Sequence, residues 1–304
     1  VNADIRQRLQ SLKEQRKAVI LAHNYQPGEI QDIADFTGDS LQLSVQASQT
    51  NAEVIVFCGV RFMAETSAIL SPEKTVLLPE LLAGCPMADM INAQQLTELK
   101  HKHPDALVVC YVNSTAEVKA LSDYCCTSGN ALELVRRLPK DRDILFVPDR
   151  NLGGFIVEQT GREMILWPGY CPTHMRILPE DIQKARQLHP EAAVLAHPEC
   201  RPDVRQIADE RLSTGQMLKY VKQSPKAEFI IATEEGILHT LRKQNPDKRF
   251  YPANEKSVCP NMKKITLEKV LWSLEDMKYR ITVEEPVRTQ AKKSLDRMLE
   301  VLPS

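Results

Sequence analysis

No two of the eight cysteines stand as Cys-x-x-Cys, the close pairing from which structural zinc sites are usually built. No apolar run approaches the roughly 18 residues of a membrane span. Residues 4–17 read as a charged amphipathic helix without the apolar core of a secretory leader. No Gly-x-Gly-x-x-Gly or phosphate-binding loop occurs, so no motif supports a nucleotide site. Acidic and basic residues nearly cancel, 40 against 39. That balance gives no reason to expect nucleic acid or a membrane surface as partner. A chain of 304 residues can bury a large core and suggests about two domains by length alone. The scattered cysteines fit reduced thiols rather than a disulfide framework, and the expected location is cytoplasmic.

What the chain does contain is the dipeptide Cys-Pro three times, at Cys85-Pro86, Cys171-Pro172 and Cys259-Pro260, spaced by 86 and 88 residues. Other features keep the same register. A buried-strand pattern at 18–22, 107–110 and 193–196 ends in His23 and Tyr25, Tyr111 and Asn113, and His197 and Glu199. Asp35, Asp123 and Asp209 each stand five residues before a hydroxyl, Ser40, Ser128 and Thr214. Each hydroxyl opens a helical pattern and is expected as its N-cap. Second strands follow at 54–57, 144–147 and 229–232, and third strands at 75–78, 164–167 and 249–251, just before Cys-Pro. Fully apolar strands alternating with helices argue for parallel sheets covered on both faces. The expected fold is therefore α/β: three similar α/β/α sandwich domains, each with a short parallel sheet of about three strands. They are expected in a pseudo-threefold arrangement around a central active site. Their expected bounds are 1–103, 104–188 and 189–264, with helices in 265–304 packing back on the first domain.

A lone cysteine is more often a small buried hydrophobe than a ligand, and Cys58, Cys110, Cys125, Cys126 and Cys200 are read that way. Cys85, Cys171 and Cys259 are in register, so one central site can gather them. Two metal readings stay open. Zinc can take the three thiolates with His174 as fourth ligand. A [4Fe–4S] cluster on three thiolates keeps one iron open as a Lewis acid that helps a hydroxyl leave. Helix N-termini at Ser40, Ser128 and Thr214 would attract carboxylate or phosphate. Glu199, between Pro198 and Cys200, is the candidate general acid or base. Tyr25 is placed to move a proton, and His23 and His197 to hold anionic oxygens. Arg150 in Asp149-Arg150-Asn151 reads as a lock on a neighbouring domain or a substrate contact, the structural role being favoured. Three functions stay open: a condensing enzyme, another hydro-lyase on a small hydroxy acid, or a non-enzymatic zinc protein.

The stretches Leu21-Ala-His-Asn-Tyr-Gln26, Cys85-Pro-Met87, Tyr111-Val-Asn-Ser-Thr115, Pro148-Asp-Arg-Asn-Leu152, His197-Pro-Glu199, Ser213-Thr-Gly215 and Cys259-Pro-Asn-Met262 resemble the quinolinate synthase family over nearly the whole chain. That resemblance implies condensation of iminoaspartate with dihydroxyacetone phosphate to quinolinate, phosphate and water, in NAD biosynthesis. It implies one [4Fe–4S] cluster on Cys85, Cys171 and Cys259. The implied catalytic residues are Glu199, Tyr25, His23 and Tyr111. The implied substrate contacts are His23, Ser40, Tyr111, Val112, Asn113, Ser128, His174, His197, Pro198, Glu199, Ser213 and Thr214. The implied partner is an aspartate oxidase or dehydrogenase that supplies iminoaspartate. Some members carry a carboxyl-terminal Cys-x-x-Cys-x-x-Cys run; only Cys259 stands there in this chain, so no regulation through that run is expected.

Overall fold

The computed structural model describes residues 2–301. Twelve strands form three parallel sheets of four. The first holds β1 (Ala18–His23), β2 (Phe36–Gly38), β3 (Val54–Cys58) and β4 (Thr75–Leu77); the second, β5 (Leu107–Tyr111), β6 (Tyr124–Cys126), β7 (Ile144–Val147) and β8 (Ile165–Leu166); the third, β9 (Ala193–Ala196), β10 (Glu210–Arg211), β11 (Glu228–Ala232) and β12 (Arg249–Pro252). The spatial order is the same in each: β2-β1-β3-β4, β6-β5-β7-β8 and β10-β9-β11-β12. Every pairing is parallel. Helices cover both faces, giving three similar α/β/α units.

The inner strands are buried over most or all of their length, as in Val54–Cys58 and Leu107–Tyr111, because each face meets a helical layer. Alternate residues serve opposite faces. In the third sheet Ala193, Leu195, Phe229 and Ile231 join the main core, while Val194, Ala196, Ile230 and Ala232 line a separate smaller one.

Each sheet has four strands, not about three. The additional strands β2, β6 and β10 are two or three residues long and partly exposed, too short to show a period. The repeated aspartate places them. Asp35 N–H donates to Ile20 O (2.9 Å), and Asp35 Oδ2 accepts from Ile20 N (2.8 Å). Asp123 does the same with Val108 (3.0 and 2.8 Å), and Asp209 with Val194 (2.9 and 2.7 Å). Backbone and side chain of one residue thus extend the ladder and set the register of the short strand.

In each sheet the chain leaves the first strand toward one edge and returns to the other. This makes a switch point at the carboxyl ends of the two central strands, β1 and β3, β5 and β7, or β9 and β11, where open α/β sheets bind ligands.

The tail differs from expectation. The helix Leu267–Glu275 packs on the helix Asn2–Arg16 and on β3 of the first unit. The helix Val287–Leu299 instead lies mainly on the helix Ala116–Ala120 and β6 of the second unit, and also touches the helix Arg61–Leu70 of the first. Ala291, Ser294, Leu295 and Met298 form its buried face. Asn130 Nδ2 donates to Met298 O (3.0 Å) and Val301 O (2.8 Å), fastening its end to the second unit. The last residues of the expected tail, 302–304, lie outside the described residues. Among the described residues no helix is long and apolar enough to cross a membrane.

Candidate active site

Each Cys-Pro follows the fourth strand of its sheet and enters a short 3₁₀ turn beginning three residues after the cysteine: Ala88–Met90, His174–Arg176 and Met262–Lys264. Proline fixes the backbone at the start of such a turn, and the turn's amides converge on the sulfur. Ala88 and Met87 donate to Cys85, His174 to Cys171, and Met262 and Asn261 to Cys259. N–H groups aimed at a sulfur stabilise a thiolate. Cys85, Cys171 and Cys259 are half-buried and line one cavity, whereas the other five cysteines are buried. Burial pushes the free Cys85 thiol up to about 12 and also raises Cys171 and Cys259. A bound metal must therefore displace protons from them.

The donor atoms of Cys171, His174 and Glu199 lie within 4.8 Å of one another, and the three sulfurs line the same cavity. A single ion needs donors around one centre. A cluster with its own iron and sulfide spans thiols set wider apart. Amides already aimed at three thiols in one cavity fit the cluster.

The three hydroxyls also line this cavity, but they are not N-caps. The caps are Asp39 for the helix Ser40–Gln49 and Ser213 for Thr214–Gln223, each in a capping box; Asn130 precedes Ala131–Arg137. Ser40 and Thr214 are first helical residues, and Ser128 stands two residues before Asn130. Being free of capping duty, their hydroxyls face the cavity. Asp39 lines it too, and its Oδ2 lies where a Cβ on Gly215 would be 2.4 Å away. Glycine there lets two helix N-termini close on one carboxylate.

A continuous chain of buried hydrogen bonds crosses all three units. Tyr25 Oη lies 2.5 Å from Thr233 Oγ1. Thr233 Oγ1 lies 2.8 Å from His174 Nε2. His174 Nδ1 lies 2.7 Å from Glu199 Oε2, and Tyr111 Oη donates to Glu199 Oε1 at 2.5 Å. One set of directions satisfies every group: Tyr25 donates to Thr233, Thr233 to Nε2, and Nδ1–H to the carboxylate. Asn151 Nδ2 donates to Glu199 O (3.1 Å). Arg205, buried, holds the same loop through Pro198 O and Cys200 O while pairing with Glu158 of the second unit.

The electrostatics sort the players. Burial pushes Glu199 up, but His174 and the Tyr111 hydrogen bond outweigh it and hold its carboxyl down at about 2. Burial drives His23 and His197 down to about 3, so both are neutral. Their Nδ1 atoms accept from Tyr25 N (3.1 Å) and Glu199 N (3.2 Å), which puts the proton on Nε2 as a donor. His197 Nε2 faces Ser128 Oγ at 3.2 Å. Burial, then the Glu199 charge, raise Tyr25 and Tyr111 well above a free phenol. Asn113 Oδ1 is buried with no partner, an acceptor awaiting a ligand's donor.

Of the expected site residues, His23, Tyr25, Ser40, Tyr111, Asn113, Ser128, His174, His197, Glu199, Thr214 and the three cysteines line one cavity of about 70 Å³. Val112, Pro198 and Ser213 do not. Val112 N donates to Cys126 O, Pro198 O accepts from Arg205, and Ser213 caps its helix. Arg150 stacks on Tyr170 within its own unit, and the neighbouring Asn151 is the residue that reaches across. Thr233, Glu234 and Asp39 were missed. Glu234 follows β11 in register with Asp149 after β7, a pairing the sequence carries; Thr233 stands opposite Pro148 in that register and carries no such signal.

Comparison with known proteins gives one answer. The family described as Quinolinate synthetase A protein matches residues 7–300. Quinolinate synthase of Dehalococcoides mccartyi (strain CBDB1) is 57% identical over 298 residues, covering 98% of both chains. Quinolinate synthase 1 of Methanosarcina acetivorans is 54% identical over 299 residues, again 98% of each. Quinolinate synthase of Desulforudis audaxviator is 56% identical over 291 residues, 96% of each. This chain belongs to the quinolinate synthetase A protein family.

Proposed function

We propose that this enzyme of NAD biosynthesis condenses iminoaspartate with dihydroxyacetone phosphate to give quinolinate, phosphate and water. The observation that carries the reading is the buried chain Tyr25–Thr233–His174–Glu199–Tyr111 facing three amide-cradled cysteines. A [4Fe–4S] cluster held by Cys85, Cys171 and Cys259 would supply an open iron that draws off a hydroxyl as a Lewis acid.

The chain's own residues account for the rest. Neutral His23 and His197, with Ser40, Ser128 and Thr214, offer donors to two carboxylates and a phosphate. His174 takes the proton the substrate loses in enolisation, and Glu199 stabilises the imidazolium formed. Tyr25, held as a phenol, hands its proton to a departing hydroxyl as that imidazolium resupplies it through Thr233. Tyr111 fixes the second oxygen of Glu199, so the carboxylate cannot rotate away from His174.

Quinolinate formation from the two substrates by cluster-loaded protein tests the reaction. Thr233→Val keeps the shape and removes the hydroxyl. It is expected to lower kcat by about 10²-fold or more, with KM little changed; unaltered kcat would remove the relay.

The donor atoms of Cys171, His174 and Glu199, within 4.8 Å of one another, favour a second reading, a single zinc ion there. The hydrogen bond already joining His174 to Glu199 weighs against it, and stoichiometric zinc without sulfide would establish it.

A further inference from the structure

One charge pair with a buried carboxylate takes no part in this chemistry. Glu234 follows β11 beside Thr233 and is wholly buried. Its Oε1 accepts from the Cys259 amide (3.0 Å) and lies 2.9 Å from Lys263 Nζ. Its Oε2 accepts from the Gly236 amide (2.7 Å). Lys263 stands in the turn after Cys259, and its Nζ also donates to Tyr25 O (2.7 Å) in the first unit. Gln31 joins the same two segments: its Nε2 donates to Asn24 O, Gln26 O and Gly236 O.

We infer that Glu234 and Lys263 are positioning residues that couple the seating of Cys259 to closure of the third unit against the Tyr25 loop. The inference rests on the reading that Cys259 helps hold a cluster. A carboxylate taking three donors fixes the direction of the Cys259 amide, and with it the ligand loop. Lys263 is tied at both ends, so withdrawal of the Tyr25 loop removes one of its acceptors and loosens its hold on Glu234. The positions four residues after Cys85 and Cys171 are Asp89 and Met175, neither a cation. The third cysteine is therefore the one whose seat is tied to the neighbouring unit through a cation.

The test compares wild type, Lys263→Met, Lys263→Arg and the double variant Lys263→Met with Glu234→Gln, all purified without oxygen. The readouts are the rate of iron loss to a chelator, thermal midpoint, and amide exchange at 24–27 and 257–263. Lys263→Met is expected to lose iron about tenfold faster, the lower end for residues that orient a metal ligand, with exchange rising in both segments together. Lys263→Arg is expected to restore most of the retention. In the double variant no carboxylate is stranded, so the midpoint recovers, but iron loss stays fast because the tie to Tyr25 is gone. If Lys263→Met does not fold, the double variant carries the comparison. Iron loss within about twofold of wild type, well short of that expectation, or retention returning with the midpoint in the double variant, would overturn the inference. Wild type without iron or sulfide would defeat the cluster reading alone; the joint rise in exchange of the two segments in Lys263→Met, or its absence, still decides the latch.

Discussion

Glu199 has both carboxylate oxygens engaged, one by His174 and one by Tyr111. A group held so firmly in its ionised form is a poor proton donor at rest and a good stabiliser of a cation beside it. Glu199→Gln is expected to lower kcat by about 10²–10⁴-fold with iron content unchanged, measured by quinolinate formation and iron assay on the same sample. Activity near wild type would remove the carboxylate from the relay. Glu199 was legible in the sequence because it ends a first strand, in register with Tyr25 and Asn113. Thr233 was not: a lone threonine after an apolar strand carries no signal of its own, and only the fold brings it between Tyr25 and His174. His174 was legible only as a neighbour of Cys171, and its bond to Glu199 needed the second and third units to meet.

At the scale of elements, the repeat was legible because its strands are buried and its loops have equal lengths. Burial imposes apolar runs, and runs show in a sequence. The short outer strands did not show, because aspartate hydrogen bonds define them rather than their own side chains. Asp209→Ala removes a carboxylate that accepts from Val194 N; the site is partly exposed, so the expected loss is about 1 kcal/mol in urea unfolding. A larger effect on catalysis than on stability would contradict the purely structural role. Close approach between units was likewise invisible. A Cβ on Gly236 would lie 2.7 Å from the backbone carbon and oxygen of Tyr25. Gly236→Ala is expected to cost about 1–3 kcal/mol from overpacking and to depress kcat by displacing Tyr25, and an unshifted thermal midpoint would count against that packing.

At the scale of the molecule, three units pool their strand ends around one cavity and bury ionisable groups there. This gives a pH signature. His23 and His197 have folded values of about 3 against an ordinary 6.5. Below 6.5 the unfolded chain binds protons that the folded one refuses, so stability falls as pH drops from 6.5 toward 3. Glu199, about 2 against 4.5, adds a loss of the same sign below 4.5. Urea unfolding from pH 7.5 to 4.5 is expected to show this slope and to lose part of it in His197→Asn; a flat profile would contradict the buried neutral histidines. The choice between zinc and iron–sulfur was not legible from spacing alone, since both accept three thiolates.

The central claim is that Cys85, Cys171 and Cys259 hold an iron–sulfur cluster facing the proton relay. Iron, acid-labile sulfide and zinc per chain, in protein purified without oxygen, test it most directly. About four irons and four sulfides are expected, lost in Cys85→Ala and kept in Cys110→Ala. Stoichiometric zinc without sulfide, or iron unaffected by Cys85→Ala, would contradict it.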